Sequence, residues 1–227
     1  MRRALACCAL LALAAKALAD DRLWIVTGEA ARSDYYFSLG TIIPLPGSTL
    51  GNGWMQRYWA DTFTYSYLSG PQEIRADVWG AEAMLGYAAS RPGLSGALYL
   101  GGRYSNAHLS PDDPSSELNG NQLFGKAQAE GNVSFTQRLR GEGIVSYLFD
   151  LDGYWTRARL LYTLDKSMFV GPELIFQGDP NYTARKLGVA LGGIQVLPKT
   201  WITFKAGYRW QSGQNAVYGG VELVGEY

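Results

Sequence analysis

Between Lys199 and Trp210 the side chains alternate in kind. Ile202, Phe204, Ala206, Tyr208 and Trp210 fall on one side; Thr203, Lys205, Gly207 and Arg209 fall on the other. A helix would scatter these residues around its circumference, whereas a strand sends successive side chains to opposite faces. The same period recurs in Leu123–Thr136, where Leu123, Gly125, Ala127, Ala129, Gly131, Val133 and Phe135 oppose Phe124, Lys126, Gln128, Glu130, Asn132, Ser134 and Thr136. It recurs again where Thr156, Ala158, Leu160, Tyr162 and Leu164 oppose Trp155, Arg157 and Arg159, and where Trp79, Ala81, Ala83, Leu85 and Tyr87 oppose Gly80, Glu82 and Met84.

Turn signals separate these runs. Ser90-Arg91-Pro92-Gly93, Arg140-Gly141, Asp165-Lys166 and Pro198-Lys199 are short. Ser69–Gln72, Asp150–Gly153, Gly178–Asn181 and Ser212–Asn215 are more polar, and His108–Gly120 is the longest polar stretch. The two classes alternate, as tight inner turns and larger outer loops do in a membrane barrel. Pro44–Gly53, longish and on the side of the tight turns, is the exception. The chain is therefore expected to be all-β: a single closed antiparallel transmembrane β-barrel of about twelve strands. The expected strands are 22–30, 34–43, 54–67, 73–89, 94–107, 120–137, 140–149, 153–165, 167–177, 182–197, 199–211 and 215–227. Ten strands is the alternative if two weak runs near the N-terminus do not both cross. The run Trp54–Tyr67 is ambiguous, because Arg57 and Trp59 share a face.

The N-terminus reads as an export signal. Arg2 and Arg3 precede an apolar run, Ala4–Ala15, and Ala17-Leu18-Ala19 places small residues where a signal peptidase cuts. Residues 1–19 are expected to be removed, leaving 20–227 as the barrel. The run is shorter than the roughly 20 residues a spanning helix needs, which argues against an N-terminal anchor. Both cysteines, Cys7 and Cys8, lie in the signal, so no disulfide or cysteine metal site is expected in the mature chain. Cleavage removes three of the 20 basic side chains and none of the 20 acidic ones, leaving a net charge of −3. That balance gives no reason to expect nucleic acid as a partner.

The 15 tyrosines and seven tryptophans suit interfacial girdles, with Trp54, Tyr87, Tyr162, Trp201 and Trp210 near strand ends. A soluble β-sandwich, the alternative, would bury one sheet face and leave fewer aromatics outward. Val217, Gly219, Val221, Leu223, Gly225 and Tyr227 alternate to an aromatic last residue. This resembles the C-terminal signal read by barrel-assembly machinery, which with outer-membrane lipid is an expected partner.

Inward positions carry both signs: Glu82, Arg103, Lys126, Glu130, Glu142, Arg157, Arg159, Glu173, Lys186, Lys205, Arg209 and Glu222. In a narrow barrel such charges pair across the lumen; in a wetter one they line a passage, with Trp155 and Tyr218 as platforms for sugar rings. For catalysis the sequence offers only His108-Leu109-Ser110 with Glu117 or Glu130. That set resembles the His-x-Ser and acid of outer-membrane lipid A deacylases, in which a base activates a serine hydroxyl. The spacing is short, lies beside a Pro/Asp-rich loop and lacks that family's surroundings, so no enzyme, cofactor or metal is expected.

Several segments together resemble the cellulose biosynthesis proteins of the BcsS type. They are Gly28-Glu29-Ala30, Asp34-Tyr35-Tyr36-Phe37, Pro44–Gly51 with Trp54, Ala83–Tyr87, His108–Pro114, Tyr154–Leu160 and Val170-Gly171-Pro172-Glu173. The resemblance implies a non-enzymatic barrel associated with cellulose synthesis or export at the outer membrane, with cellulose and cellulose-synthase export components as partners. On the residues themselves, Trp155, Arg157, Arg159, Glu173, Lys205 and Arg209 are the candidates for facing a glucan in the lumen. A small porin and a lipid-modifying enzyme are the alternatives.

Overall fold

The computed structural model describes residues 22–32, 34–114, 116, 118–211 and 215–227. The expected signal segment 1–19 and Glu117 lie outside the described residues.

Twelve strands follow one another: β1 (Leu23–Ala31), β2 (Asp34–Pro44), β3 (Gly53–Ser69), β4 (Gln72–Arg91), β5 (Leu94–Ser110), β6 (Gly120–Ser134), β7 (Leu139–Leu148), β8 (Gly153–Asp165), β9 (Met168–Asp179), β10 (Tyr182–Leu197), β11 (Thr200–Gln211) and β12 (Ala216–Glu226). Each pairs antiparallel with its sequence neighbours, and β1 closes on β12 from Leu23↔Glu226 to Ala30↔Gly219. The ring is closed, so within it each strand is paired on both sides, as hydrocarbon requires, while the far ends of β3 (Thr64–Ser69) and β6 (Gly120–Phe124) pair on one side only. We call the end that carries the two chain termini the near end.

The alternation read from the sequence holds in space. Phe204, Tyr208 and Trp210 are exposed outward while Thr203, Lys205 and Arg209 are buried inward. On β4, Trp79, Leu85 and Tyr87 face outward and Met84 and Glu82 inward. Trp54 and Tyr87 meet at the near end, ring centroids 5.4 Å apart; Trp79 and Tyr104 meet at the far end, 5.1 Å apart. Eight residues of β4 separate Tyr87 from Trp79, about 26 Å of strand. At a tilt of about 40° that is roughly 20 Å of height, close to the apolar band of an outer-membrane barrel.

The structure corrects several boundaries. β3 and β4 stay paired as far as Ser69↔Gln72, so the expected polar loop there shrinks to Gly70-Pro71. β5 runs three residues past its expected end, to Ser110, which takes His108 out of the loop and into a strand. β6 stops at Ser134, three residues early. The turn expected at Gly178–Asn181 tightens around Asp179, whose Oδ1 accepts from the backbone N–H of Asn181 and Tyr182 at 2.8 and 3.1 Å.

The three longest strands, β3 to β5, extend beyond the far girdle with an apolar inner face: Tyr65, Tyr67, Ile74, Ala76 and Leu109. Water disfavours such a face, so it folds over the mouth of the barrel. Tyr65 lies 4.9 Å, centroid to centroid, from Tyr182 of β10, which is separated from β3 by β2, β1, β12 and β11. Gln211 Nε2 donates to Ser66 O across the same mouth at 2.7 Å. The near mouth holds a second apolar cluster of Ile42, Met55, Met84, Ala88 and Tyr99, against which Leu50 of the β2–β3 loop packs. That loop, the exception in the turn pattern, is itself ordered: Thr49 and Asn52 form a bridge, and Ser48 Oγ accepts from Trp54 N–H at 2.9 Å.

Close strand approach explains part of the glycine content. A Cβ on Gly101 would collide with the Ala83 carbonyl and the Met84 Cα, which are backbone and cannot swing away; one on Gly28 would meet only Val221 Cγ2, at 3.9 Å. Gly101→Ala should therefore destabilise the barrel by about 1–3 kcal/mol, whereas Gly28→Ala should be neutral or slightly stabilising. The temperature at which the compact band on SDS gels converts to the unfolded one measures both.

Candidate functional site

Charged residues occupy the middle of the lumen, between the two apolar clusters. Glu82 on β4 is the hub of one group. Its Oε2 accepts from Arg57 Nη1 at 2.9 Å, and its Oε1 accepts from Arg103 Nη1 at 2.7 Å and from Lys126 Nζ at 2.6 Å. Arg103 also grips Asp61 with both Nη atoms at 2.7 Å, the fork geometry guanidinium favours. The Glu82 side chain is only 2% exposed, so three cations around one carboxylate replace its lost hydration. The arrangement follows from register: Glu82 pairs with Trp59 on one side and Arg103 on the other, which sets these inward side chains in adjacent rows.

A second group crosses the lumen. Arg157 on β8 donates to Glu222 of β12 at 2.9 Å, although β9, β10 and β11 lie between those strands. Arg159 is 2.6 Å from Glu173 on β9 and reaches Glu222 at 3.4 Å. Glu173 is fully buried, and Tyr218 OH donates to its other oxygen at 3.4 Å. A third group joins β1, β2, β10 and β11: Glu29 holds Lys186 and, at 2.7 Å, Lys205, while Arg209 meets Asp34 at 2.7 Å. Smaller polar contacts lie nearer the termini, Gln128 with Glu130 at 2.5 Å and Arg140 with Glu142 at 3.0 Å.

The structure brings Arg157, Arg159 and Glu173 together, with Arg157 5.8 Å from the Trp155 ring centroid, and places Lys205 and Arg209 in the neighbouring group. Tyr218 is 1% exposed and has Lys186 5.6 Å from its ring centroid, so the expected sugar platform is covered. Four members escaped the sequence reading: Arg57, Asp61, Glu29 and Asp34. Arg57 and Asp61 belong to the β3 face left ambiguous by Trp59. The indole turns inward, lies over Gly40 and carries the Arg57 guanidinium 4.4 Å from its centroid. Glu29 and Asp34 sit on inward positions of β1 and β2, where the period-2 rule would have found them.

The candidate catalytic set does not assemble around Glu130, and Glu117, its other acid, lies outside the described residues. His108 and Ser110 lie outward on β5, opposite Asp77 and Arg75, with Leu109 buried between them. Glu130 pairs with Ala97 toward the near end, nine residues along β6 from the Asn121 that pairs with Asn106, or about 30 Å of strand. Among the described residues no group of His, Cys, Asp and Glu side chains could hold a metal ion. A near-end cleft of about 170 Å³ is lined by Leu50, Met55, Ala97, Tyr99, Glu130 and Asn132 among others.

Comparison with solved structures places the chain among membrane barrels. It is similar to the KdgM porin in complex with disordered oligogalacturonate, with 14% identity, 88% of this chain and 97% of that chain covered, and a TM-score of 0.52. It is also similar to outer membrane phospholipase A from Escherichia coli, at 13% identity, 91% and 96% coverage and a TM-score of 0.47. At these identities the likeness concerns the fold. Comparison with curated proteins gives no match. The family model described as cellulose biosynthesis protein BcsS matches residues 24–226, nearly the whole described barrel. The closed twelve-strand ring and this match place the chain in the outer membrane, and it belongs to the cellulose biosynthesis protein BcsS family.

Proposed function

We propose that the protein is a sealed, non-enzymatic accessory barrel of cellulose biosynthesis, fixed in the outer membrane, and that glucan does not pass through its lumen. The observation that carries this reading is the tie of Arg157 and Arg159 to Glu222 across the lumen, between apolar clusters that occupy both mouths. A glucan strand in transit would have to part these ion pairs and leave buried charges without partners, a cost of several kcal/mol each. Arg157 and Arg159 then serve the lumen itself by tying β8 to β12, Lys205 and Arg209 by tying β11 to β1 and β2, and Glu173 by holding Arg159, with Trp155 beside Arg157. Export by the 1–19 signal, recognition of the β12 strand by barrel-assembly machinery and contact with outer-membrane lipid belong to the same reading.

The purified barrel in planar bilayers should give no stable single-channel current. Steady conductance blocked by cello-oligosaccharides would replace this reading with a glucan conduit, and conductance indifferent to them with a small porin. The fastening role has its own measurement. Glu82→Gln strips the hub from Arg57, Arg103 and Lys126 and should cost about 3–5 kcal/mol in urea or heat unfolding. Asp77→Asn, which removes one partner of the half-exposed Arg75–Asp77 pair, should cost under about 1 kcal/mol.

A further inference from the structure

The outer face of the β3–β5 extension takes no part in closing the lumen, and lipid does not cover it. From Trp79 at the far girdle, β4 continues seven residues to Gln72, about 23 Å of strand. Its outward residues there are Asp77, Arg75 and Glu73; His108 and Ser110 of β5 stand across from Asp77 and Arg75, and Asn106 across from Trp79. Such side chains are excluded from hydrocarbon, so this face stands in water. At its base the Trp79 and Tyr104 rings lie 5.1 Å apart at 53°, with Trp79 half exposed. Tyr104 OH and Asn106 Nδ2 both donate to Asn121 Oδ1, at 2.6 and 2.8 Å. The pair of hydrogen bonds fixes a phenol and two carboxamides beside the indole. Arg75 lies 3.4 Å from Asp77, so the charges above are of both signs.

The Trp54–Tyr87 pair at the near girdle is a useful contrast. β3 begins at Gly53, one residue before Trp54, and β4 runs only four residues past Tyr87, where Ala89 and Arg91 face outward opposite Gly96 and Leu94 of β5, so that pair has no amide cluster and no long charged face beside it. Interfacial anchoring accounts for the near pair completely. It does not account for the amide cluster and the charged strand face beside the far pair.

We propose that the Trp79–Tyr104–Asn121 face binds a neutral β-linked glucan chain at the outer surface of the barrel, an inference that rests on the accessory role above. A pyranose ring has two apolar C–H faces and a rim of hydroxyls. It is held by an aromatic ring against a face and by amide and carboxylate groups at the rim. A β-linked chain is extended and flat, and a sheet face accepts it without a cavity. Glu73 and Asp77 disfavour a polyanionic sugar on the same surface.

The test uses the full-length barrel in detergent micelles, with amorphous cellulose and cellohexaose as probes and oligogalacturonate as the acidic control. Amorphous cellulose should deplete the wild-type protein from solution, and cellohexaose should release it. Trp79→Ala and Asn121→Ala should each weaken retention by about tenfold, the scale of one lost stacking or hydrogen-bonding anchor. Trp54→Ala should leave retention unchanged. Heat-modifiable migration on SDS gels confirms that each variant is folded. Absence of retention by wild type, equal loss in Trp54→Ala, no loss in folded Trp79→Ala, or preference for oligogalacturonate would each overturn the site. None of these outcomes touches the sealed lumen, which the conductance measurement decides separately.

Discussion

A backbone in hydrocarbon must find every hydrogen bond within itself, and the β1–β12 pairing is what satisfies that demand here. Once the ring closes, each strand has one face toward lipid and one toward a confined interior. The outward face loses its polar residues between the girdles, as in Ala81, Ala83 and Leu85. The inward face receives the charges the sequence still contains. Closure therefore creates the second problem, that of charged side chains shut inside a narrow tube, and the three ion-paired groups are its solution.

That solution shapes the interior. A carboxylate such as Glu82 gains little from a single partner when both are stripped of water, but gains more when several donors converge on it. Convergence needs side chains from adjacent strands at matching heights, and the uninterrupted register from β3 to β6 provides it. The crossing from Arg157 to Glu222 needs something further: long side chains and a diameter small enough for both to reach. Twelve strands with arginines inside meet that condition, and Arg157 and Arg159 tie β8 to β12.

The ring and its strand count were legible because period 2 is a local property. In Lys199–Trp210, where the alternation is clean, the face assignment held residue by residue. It faltered where an aromatic residue faced inward. Trp59 beside Arg57 looked like two faces merged, yet the indole fits because Gly40 leaves room beneath it. The β3–β5 extension was hidden for a different reason. Nothing in Ser69–Gln72 or His108–Ser110 distinguishes a polar loop from a strand that has left the membrane, since both face water. Only the apolar inner face of Tyr65, Tyr67 and Ile74 marks the extension, and its partner, Tyr182, lies more than a hundred residues away in sequence. The ion pairs share that difficulty: parity gave the inward set, while the pairing depends on which strands face one another across the tube.

A barrel filled in this way has little interior to offer a ligand, so the contact proposed above lies at a rim. The near rim carries short turns and the folded-in loop around Leu50. The far rim carries the longer strands, and bending them inward has a geometric consequence. Their apolar face goes to the lumen, so their opposite face, with Asp77 and His108, is turned outward just above the Trp79 girdle, where Asn106 and, on β6, Asn121 stand beside it. Sealing the mouth and displaying a polar, aromatic-edged sheet beside the membrane are thus two results of one bend. The glucan contact proposed above therefore lies on the side of the barrel and not along its axis.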